Sequence, residues 1–544
     1  MVSLKNTFEK ANSKMSVKSA AILLAFSTLL SSVLGLVRDR QLNGLYYSTY
    51  PQGIDAYTVA FSVPDFMFFI LVSGALSVSF IPVFNQRLAD GNKKSAWELS
   101  TSLLNLLAAV TLVASILIII FADPLVRYVV GPGLDESSRS LAISMMRVIA
   151  VNPFLFSIAT VISSMQQAVG RFVFFALAPT VYNVGIIIGA MVFTNGINIF
   201  GWQVFDGGIM GVALGVVLGS VLQLLISCVG LIGMGFDYRF KIYWKNRGFR
   251  KVLSLIPARS LDQGIDYVNG MVETNLASRM AAGSIRAYQQ ASALSNVPIN
   301  LIGVAISTAA FPQMAERLGA GRPDLFKKEL QSVLRVIIWL ALPVAVVAFF
   351  GRGYLINFIK NGGDSLMANT LGILAAAILF KSIYYISARS FYAQQDTKTP
   401  LYISFFTIAL NIGLAIWFTT VLNWGTYGLA AATAIVAAVE VCILFTIMSR
   451  RIVGLFNKDF MVAILKMVFA SVVMSFITYG CIKLIPLRAG SQSIVSTLPK
   501  FFVITVVSLG SYLILSKIIK LTEADPFIDK IKKLIYGGFK SRKQ

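Results

Sequence analysis

GALSVSFIPVFNQRLADG at residues 74–91 and VAISTAAFPQMAERLGAG at residues 304–321 are two versions of one pattern. Pro82 aligns with Pro312, Arg87 with Arg317, Leu88 with Leu318 and Gly91 with Gly321. The likeness extends outward. Gln166-Gln167, Asn183 and Gly185 recur at one constant offset as Gln394-Gln395, Asn411 and Gly413, and Gly211 and Gln223 recur as Gly428 and Glu440. Roughly six apolar runs separate the members of each pair, each run about twenty residues long, the length that crosses hydrocarbon. An even shift leaves both copies in the same orientation. Parallel repeats of this kind mark two-lobed transporters with a cavity between the lobes. Chance likeness between apolar helices does not place several ordered matches at the same shift.

Composition agrees. Of 544 residues 56% are hydrophobic and 13% charged, against about 25% charged in soluble proteins. About fourteen apolar runs lie between residues 19 and 519, so the expected fold is an all-α polytopic membrane protein with two pseudo-symmetric six-helix lobes plus two extra helices. Residues 1–18 form a cytoplasmic N-terminal tail, 19–236 the N-lobe with spans one to six, 237–251 a basic linker, and 252–449 the C-lobe with spans seven to twelve. Residues 460–519 hold spans thirteen and fourteen. Residues 520–544 carry Phe527, Ile528, Ile531, Leu534, Ile535 and Phe539 among lysines, the pattern of an amphipathic helix on a membrane surface. The first apolar run is too long for a signal-peptide core and reads as a retained first helix.

The net charge of +23 raises the question of nucleic acid, but its distribution excludes that partner. Basic residues collect in every second connection: Lys5, Lys10, Lys14 and Lys18; Arg87, Lys93 and Lys94; Arg171; the linker; Arg317 and Arg322; Lys398; Arg450 and Arg451; and the C-terminal tail. Positive charge on the cytoplasmic side puts both termini there and favours contact with anionic membrane lipids. The chain has no histidine, which removes His-based triads, His metal sites and the usual near-neutral proton switch. Cys228, Cys442 and Cys481 lie far apart in apolar runs and suggest neither a disulfide set nor a metal site. With no phosphate-binding glycine loop and no nucleophile elbow, the sequence points to transport rather than catalysis and to no cofactor.

Ionisable residues inside spans are costly and are therefore the functional candidates. Arg38 and Asp39 end the first span in SSVLGLVRDR. Asp55 starts the second, where an Asp also suits a helix N-cap, and Asp65 lies about three turns further on. The seventh span, 252–281, is the most polar. It carries Arg259, Asp262, Asp266, Glu273 and Arg279, and its three acids share one helical face, which should point at water rather than lipid. Arg147, Lys381 and Glu440 are also intramembrane, and the first two are long enough to snorkel.

SSVLGLVRD (31–39), GIDAYTVAFSVPDF (53–66), SGALSVSFIPVF (73–84), APTVYNVGIIIG (178–189) and ARSFYAQQDTKTP (388–400) together resemble the MurJ (MviN) lipid II flippases of the multidrug/oligosaccharidyl-lipid/polysaccharide exporter superfamily. The likeness runs in order through most of the chain up to the last two spans. It implies fourteen helices, two six-helix lobes and, at 460–519, two helices lining a groove for a lipid tail. It also implies a polyprenyl-pyrophosphate-linked peptidoglycan precursor, lipid II, moved across a bacterial cytoplasmic membrane by alternating access, with cell-wall synthesis enzymes as candidate partners.

On that resemblance Arg38, Asp39 and Asp55 match charged positions of the family cavity, with Arg147, Arg259 and Lys381 as further substrate-binding candidates. Asp65, Asp262, Asp266, Glu273 and Glu440 are the candidates for cavity lining or ion coupling. The chain departs from the family pattern where arginines are expected: it has Ser32, Phe68, Phe69 and, in the eighth span, Ser292-Ala293, and it has Ser73 where a glutamate is expected. These losses leave open another lipid-linked oligosaccharide as cargo. A multidrug or small-molecule antiporter of the same superfamily is the alternative, for which twelve helices would be expected.

Overall fold

The computed structural model describes residues 17–73, 80–199, 202–487 and 493–530; within them, the side chains of 257–263, 265 and 266 and a few others lie outside the description. Among the described residues, thirteen helical segments are long and apolar enough to cross a membrane. A further helix, Arg247–Ser278, has 32 residues and at 1.5 Å per residue is about 48 Å long, but its charges keep it out of the apolar set. It is the expected polar seventh span. The protein is thus an all-α polytopic membrane protein with about fourteen spanning helices. One small exception is a two-stranded antiparallel hairpin, Ile197–Ile199 with Trp202–Phe205, in the connection before the sixth span, where a short alternation of apolar and polar residues suits a strand.

The chain divides into two compact units, Met1–Arg286 and Ala287–Gln544. The first contains α1 (Val17–Leu42), α2 (Pro51–Phe68), α3 (Ile81–Ala89), α4 (Lys93–Pro124), α5 (Glu136–Ile149), α6 (Asn152–Ala168), α7 (Val173–Met191), α8 (Met210–Val229) and α9 (Arg247–Ser278). Helix α9, expected to open the second lobe, packs on α2 and α4 within this first unit. The apolar run 138–168, which the sequence suggests as one span, is two helices. It breaks between α5 and α6, because Pro153 in the first turn of α6 has no N–H to give to the preceding turn.

Lipid tails are as apolar as leucine, so helix association in a membrane depends on close packing and interhelical hydrogen bonds. The seam between α7 and α8 shows how the sequence supplies both. A Cβ added at Gly185 would lie 2.3 Å from the Gly219 Cα, and one added at Gly189 would lie 2.4 Å from the Gly215 Cα. Only glycine permits that approach, and the two glycine pairs sit one turn apart on each helix. Nearby, the Ser220 hydroxyl donates to Asn152 Oδ1 at 2.7 Å, and Gln166 Nε2 donates to the Ser227 carbonyl at 2.8 Å.

The second unit begins within α10 (Ser284–Pro298), whose first turn belongs to the first unit, and continues through a π-turn, Ile299–Val304, into α11 (Ala305–Gly319). It also holds α12 (Pro323–Phe350), α13 (Arg352–Ile359), α14 (Ser365–Ala393), α15 (Lys398–Ile416), α16 (Thr426–Arg451), α17 (Lys458–Leu484) and α18 (Ile494–Ile518). Its core joins Leu330, Leu334 and Ile337 of α12 to Phe391 of α14, Leu444 of α16, Met467 and Met474 of α17 and Tyr512 of α18. The two helices beyond the repeat are therefore integral to this unit. Past α18 the chain stays docked on α12: Glu523 pairs with Arg335, and the Phe527 ring lies 5.0 Å from Trp339. Ile531, Leu534, Ile535 and Phe539 of the expected amphipathic tail lie outside the described residues.

The internal repeat survives in backbone detail. Gly91 and Gly321 both adopt positive φ, 73° and 68°. In each copy the residue after the glycine donates to the matching arginine carbonyl, Asn92 to Arg87 at 3.0 Å and Arg322 to Arg317 at 2.9 Å. Both are helix C-terminal turns that a left-handed glycine closes.

Candidate functional site

Arg38 and Asp39 lie in the last turns of α1, adjacent in sequence, and meet through their side chains. Arg38 donates from Nε and Nη2 to Asp39 Oδ1 at 3.2 and 3.1 Å. Its Nη1 donates to Asn183 Oδ1 of α7 at 2.9 Å. Asn183 in turn donates to the Ser31 carbonyl and hydroxyl, each at 3.3 Å. The opposite side of Asp39 is met by Arg286, whose Nη2 donates to the same Oδ1 at 3.2 Å. Arg286 Nε donates to Asn43 Oδ1, in the π-turn that continues α1, at 2.9 Å.

Asp55 completes the cluster from α2. Its position suits an N-cap for its own helix, but the structure corrects that expectation: Tyr50 occupies the cap of α2. Asp55 instead caps α10 from outside that helix. Its Oδ2 accepts the Gly283 N–H at 2.6 Å and its Oδ1 the Arg286 N–H at 2.9 Å. The first N–H groups of a helix have no partner within the helix, and a buried carboxylate offered to them answers both orphan groups and the positive end of the dipole.

The result is a five-residue knot, Arg38, Asp39, Asn43, Asp55 and Arg286, drawn from α1, its π-turn, α2 and the start of α10. It holds two cations and two carboxylates and is electrically balanced. Burial within it is uneven: the Arg286 side chain is 5% exposed and that of Arg38 is 25%. Arg38 is the more exposed of the two cations. Arg286 was not among the sequence-derived candidates, since it falls after the seventh span, 252–281, and before the apolar run that follows. The signal available was a charged residue three positions after Gly283, in what becomes the first turn of a spanning helix.

The remaining candidates lie elsewhere. The Asp65 side chain, half-buried on α2, makes no hydrogen bond or ion pair among the described residues, although it lies within electrostatic reach of Tyr57 and Tyr182. Arg147 is exposed on α5 and donates from Nε to the Ile119 carbonyl at 3.3 Å. Glu273 accepts from Asn269 one turn earlier on α9 at 2.9 Å. In the second unit, Glu440 Oε1 accepts from Thr407 and Ser404 of α15 at 3.1 and 3.4 Å, and Lys381 is half-buried on α14. The backbones of Arg259, Asp262 and Asp266 lie on the unbroken helix α9, while their side chains lie outside the description.

Where the resemblance leads one to expect an arginine pair, Phe69 stacks on Tyr267 of α9 with ring centroids 4.3 Å apart, and Phe68 meets Phe156 edge-on at 5.6 Å. An aromatic contact between helices thus replaces the cations there. Ser32 spends its hydroxyl on the Thr28 carbonyl at 2.8 Å.

The sequence profile of the family described as "Lipid II flippase MurJ" matches residues 52–498. A probable lipid II flippase MurJ of Bdellovibrio bacteriovorus is 26% identical over 449 residues, covering 81% of this chain and 83% of its own. One of Thermotoga maritima is 25% identical over 517 residues, covering 93% and 98%. Among solved structures, lipid II flippase MurJ in an inward closed conformation shares the fold with a TM-score of 0.73, at 24% identity and over 92% of this chain and 98% of that one. An inward-facing multidrug resistance MATE family transporter of the MOP superfamily is similar at a TM-score of 0.64, with 17% identity, over 81% of this chain and 99% of that one.

Proposed function

Because the chain belongs to the lipid II flippase MurJ family, we propose that it moves lipid II, a polyprenyl-pyrophosphate-linked peptidoglycan precursor, from the inner to the outer leaflet of a bacterial cytoplasmic membrane. Both termini then lie in the cytoplasm, as the basic connections require. The family match carries this reading, and it extends over both copies of the internal repeat.

The physical task is clear. A sugar–pyrophosphate headgroup cannot enter hydrocarbon unpaired, whereas its polyprenyl tail needs no help there. The protein must offer cations and hydrogen-bond donors to the head while the tail remains in lipid. Arg38 meets that need: it is charged, held in place by Asn183 and Asp39, and still accessible. Arg286 and Asp55 hold it there, the first by sharing Asp39 and the second by fixing the helix start that carries Arg286. Alternating access moves the bound head between leaflets, and cell-wall synthesis enzymes that make and consume the precursor are the partners this cargo implies.

An antiporter reading is supported only by the shared superfamily fold, and α17 and α18, packed into the core of the second unit, exceed the twelve helices it needs. The test is complementation. The chain, expressed in a bacterium depleted of its own lipid II flippase, should restore growth and outer-leaflet lipid II. Normal membrane levels of the chain with no rescue would sink the reading.

A further inference from the structure

The knot of the first unit balances its charges internally; α14 of the second unit does not. From Ser365 to Ala393 that helix contains Lys381 and Arg389 and no acidic residue. Much of its surface is packed: Ser382, Ile386, Ser387, Ser390 and Phe391 are buried, and a Cβ added at Gly303 would lie 2.7 Å from the Ser382 Cα. The accessible positions in its C-terminal half include Lys381, Tyr385, Arg389 and Tyr392. At about 100° per residue these four fall within roughly a quarter of the helix circumference. Arg389 lies within electrostatic reach of both Tyr385 and Tyr392. Neither the Lys381 nor the Arg389 side chain makes a hydrogen bond or an ion pair among the described residues.

Two uncompensated cations about 12 Å apart along a spanning helix, with tyrosines beside them, make a ladder of anion donors. Holding such charge in a membrane without a carboxylate is costly, and an anionic ligand relieves the cost. We propose that Lys381, Tyr385 and Arg389 form a diphosphate-binding stripe that engages the pyrophosphate of a lipid-linked cargo, with Arg389 and Lys381 as successive contacts along α14. The inference rests on the proposed lipid-linked cargo and adds to it the residues that select a diphosphate over a monophosphate. The lysine presents a point charge and the arginine a planar fork that can take two phosphate oxygens at once.

The test uses the full chain in lipid nanodiscs and three probes: polyprenyl diphosphate, polyprenyl monophosphate and inorganic pyrophosphate. The wild-type chain should bind the lipid diphosphate about tenfold more tightly than the monophosphate, the size of one charge-assisted contact. Lys381→Gln and Arg389→Gln should each weaken diphosphate binding about tenfold, the double variant should bind both lipids equally, and Arg389→Lys should keep part of the preference. Thermal unfolding of each variant should match the wild type, since neither side chain has a hydrogen-bond or ion-pair partner among the described residues.

Undiminished discrimination by the folded double variant overturns the stripe, whereas inorganic pyrophosphate competing at the same concentration as the lipid overturns the lipid-linked cargo. If the wild-type chain rescues flippase-depleted cells while the double variant still discriminates, the stripe falls and the flippase reading stands. If rescue fails while discrimination requires both cations, the flippase reading falls and the stripe stands.

Discussion

The Asp55 carboxylate accepts the backbone N–H of Arg286 at 2.9 Å across 231 residues of chain. One acid of the second span thereby fixes the start of the eighth. Asp55→Ala leaves the Gly283 and Arg286 N–H groups buried without an acceptor and should cost about 1–3 kcal/mol. Asp55→Asn, which keeps one carboxamide acceptor, should cost less. Thermal unfolding in detergent reads both, and an equal loss for the two variants would show that the capping bonds are not what Asp55 contributes.

Asp39 is the only acid that Arg38 and Arg286 share in an ion pair among the described residues. Asp39→Asn should destabilise the first unit by about 3–5 kcal/mol, because it strands two cations. Adding Arg286→Gln should recover part of that loss. A double-mutant cycle is expected to give a coupling of about 0.5–3 kcal/mol; strict additivity would deny the bond between them.

Arg38→Ala should remove the more exposed cation with a smaller loss of stability, since Asp39 keeps Arg286. Complementation of flippase-depleted cells should nevertheless fail at normal membrane abundance. Full growth would remove Arg38 from the transport cycle.

The glycine seam makes a contrast within one protein. Gly189→Ala drives a Cβ into the Gly215 backbone and should lower the unfolding temperature markedly or prevent accumulation in the membrane. Gly413→Ala, with nothing within 4 Å of the added carbon, should be tolerated and on helix propensity slightly stabilising, by about 0.8–1 kcal/mol at most.

Asp396, in the connection between α14 and α15, tests pH dependence outside the bilayer. Burial raises its pKa, but the hydroxyl and N–H of Thr399 and the guanidinium of Arg451 outweigh that and hold it down to about 2. Arg451 lies 2.7 Å away. The folded value is below the unfolded 3.8, so the stabilisation is complete at neutral pH. It should fade as pH falls from about 4 towards 2. The wild-type unfolding temperature should drop over that window relative to Asp396→Asn. Parallel curves for the two proteins would disprove the linkage.

Much of the fold could be read from the sequence because membranes leave few choices: backbone groups in hydrocarbon must be paired within a helix, and Gly91 and Gly321 advertise their turn through spacing alone. A proline inside an apolar run, such as Pro153, predicts a kink, though not that the helix stops and restarts there. The site was less legible. Arg38, Asp39 and Asp55 stood out as charges in apolar surroundings, but their partners Asn183 and Arg286 sit 145 and 247 residues away from the groups they bind on α1. Local pattern carries no record of such distant pairing. The stacking of Phe69 on Tyr267 was hidden for the same reason.

Helix α9 holds Arg259, Asp262, Asp266 and Glu273 in its length, and each charge at the middle of a span opposes partition from the translocon into lipid by about 2.5–3.5 kcal/mol. Released alone, it would be rejected by the insertion machinery. Its packing on α2 and α4 should be what admits it to the membrane, so synthesis is expected not to proceed strictly one helix at a time. Substitutions that weaken the acceptor surface on α2 or α4 should therefore appear first as topological errors during synthesis, with everything after residue 247 inverted, before they appear as slow transport.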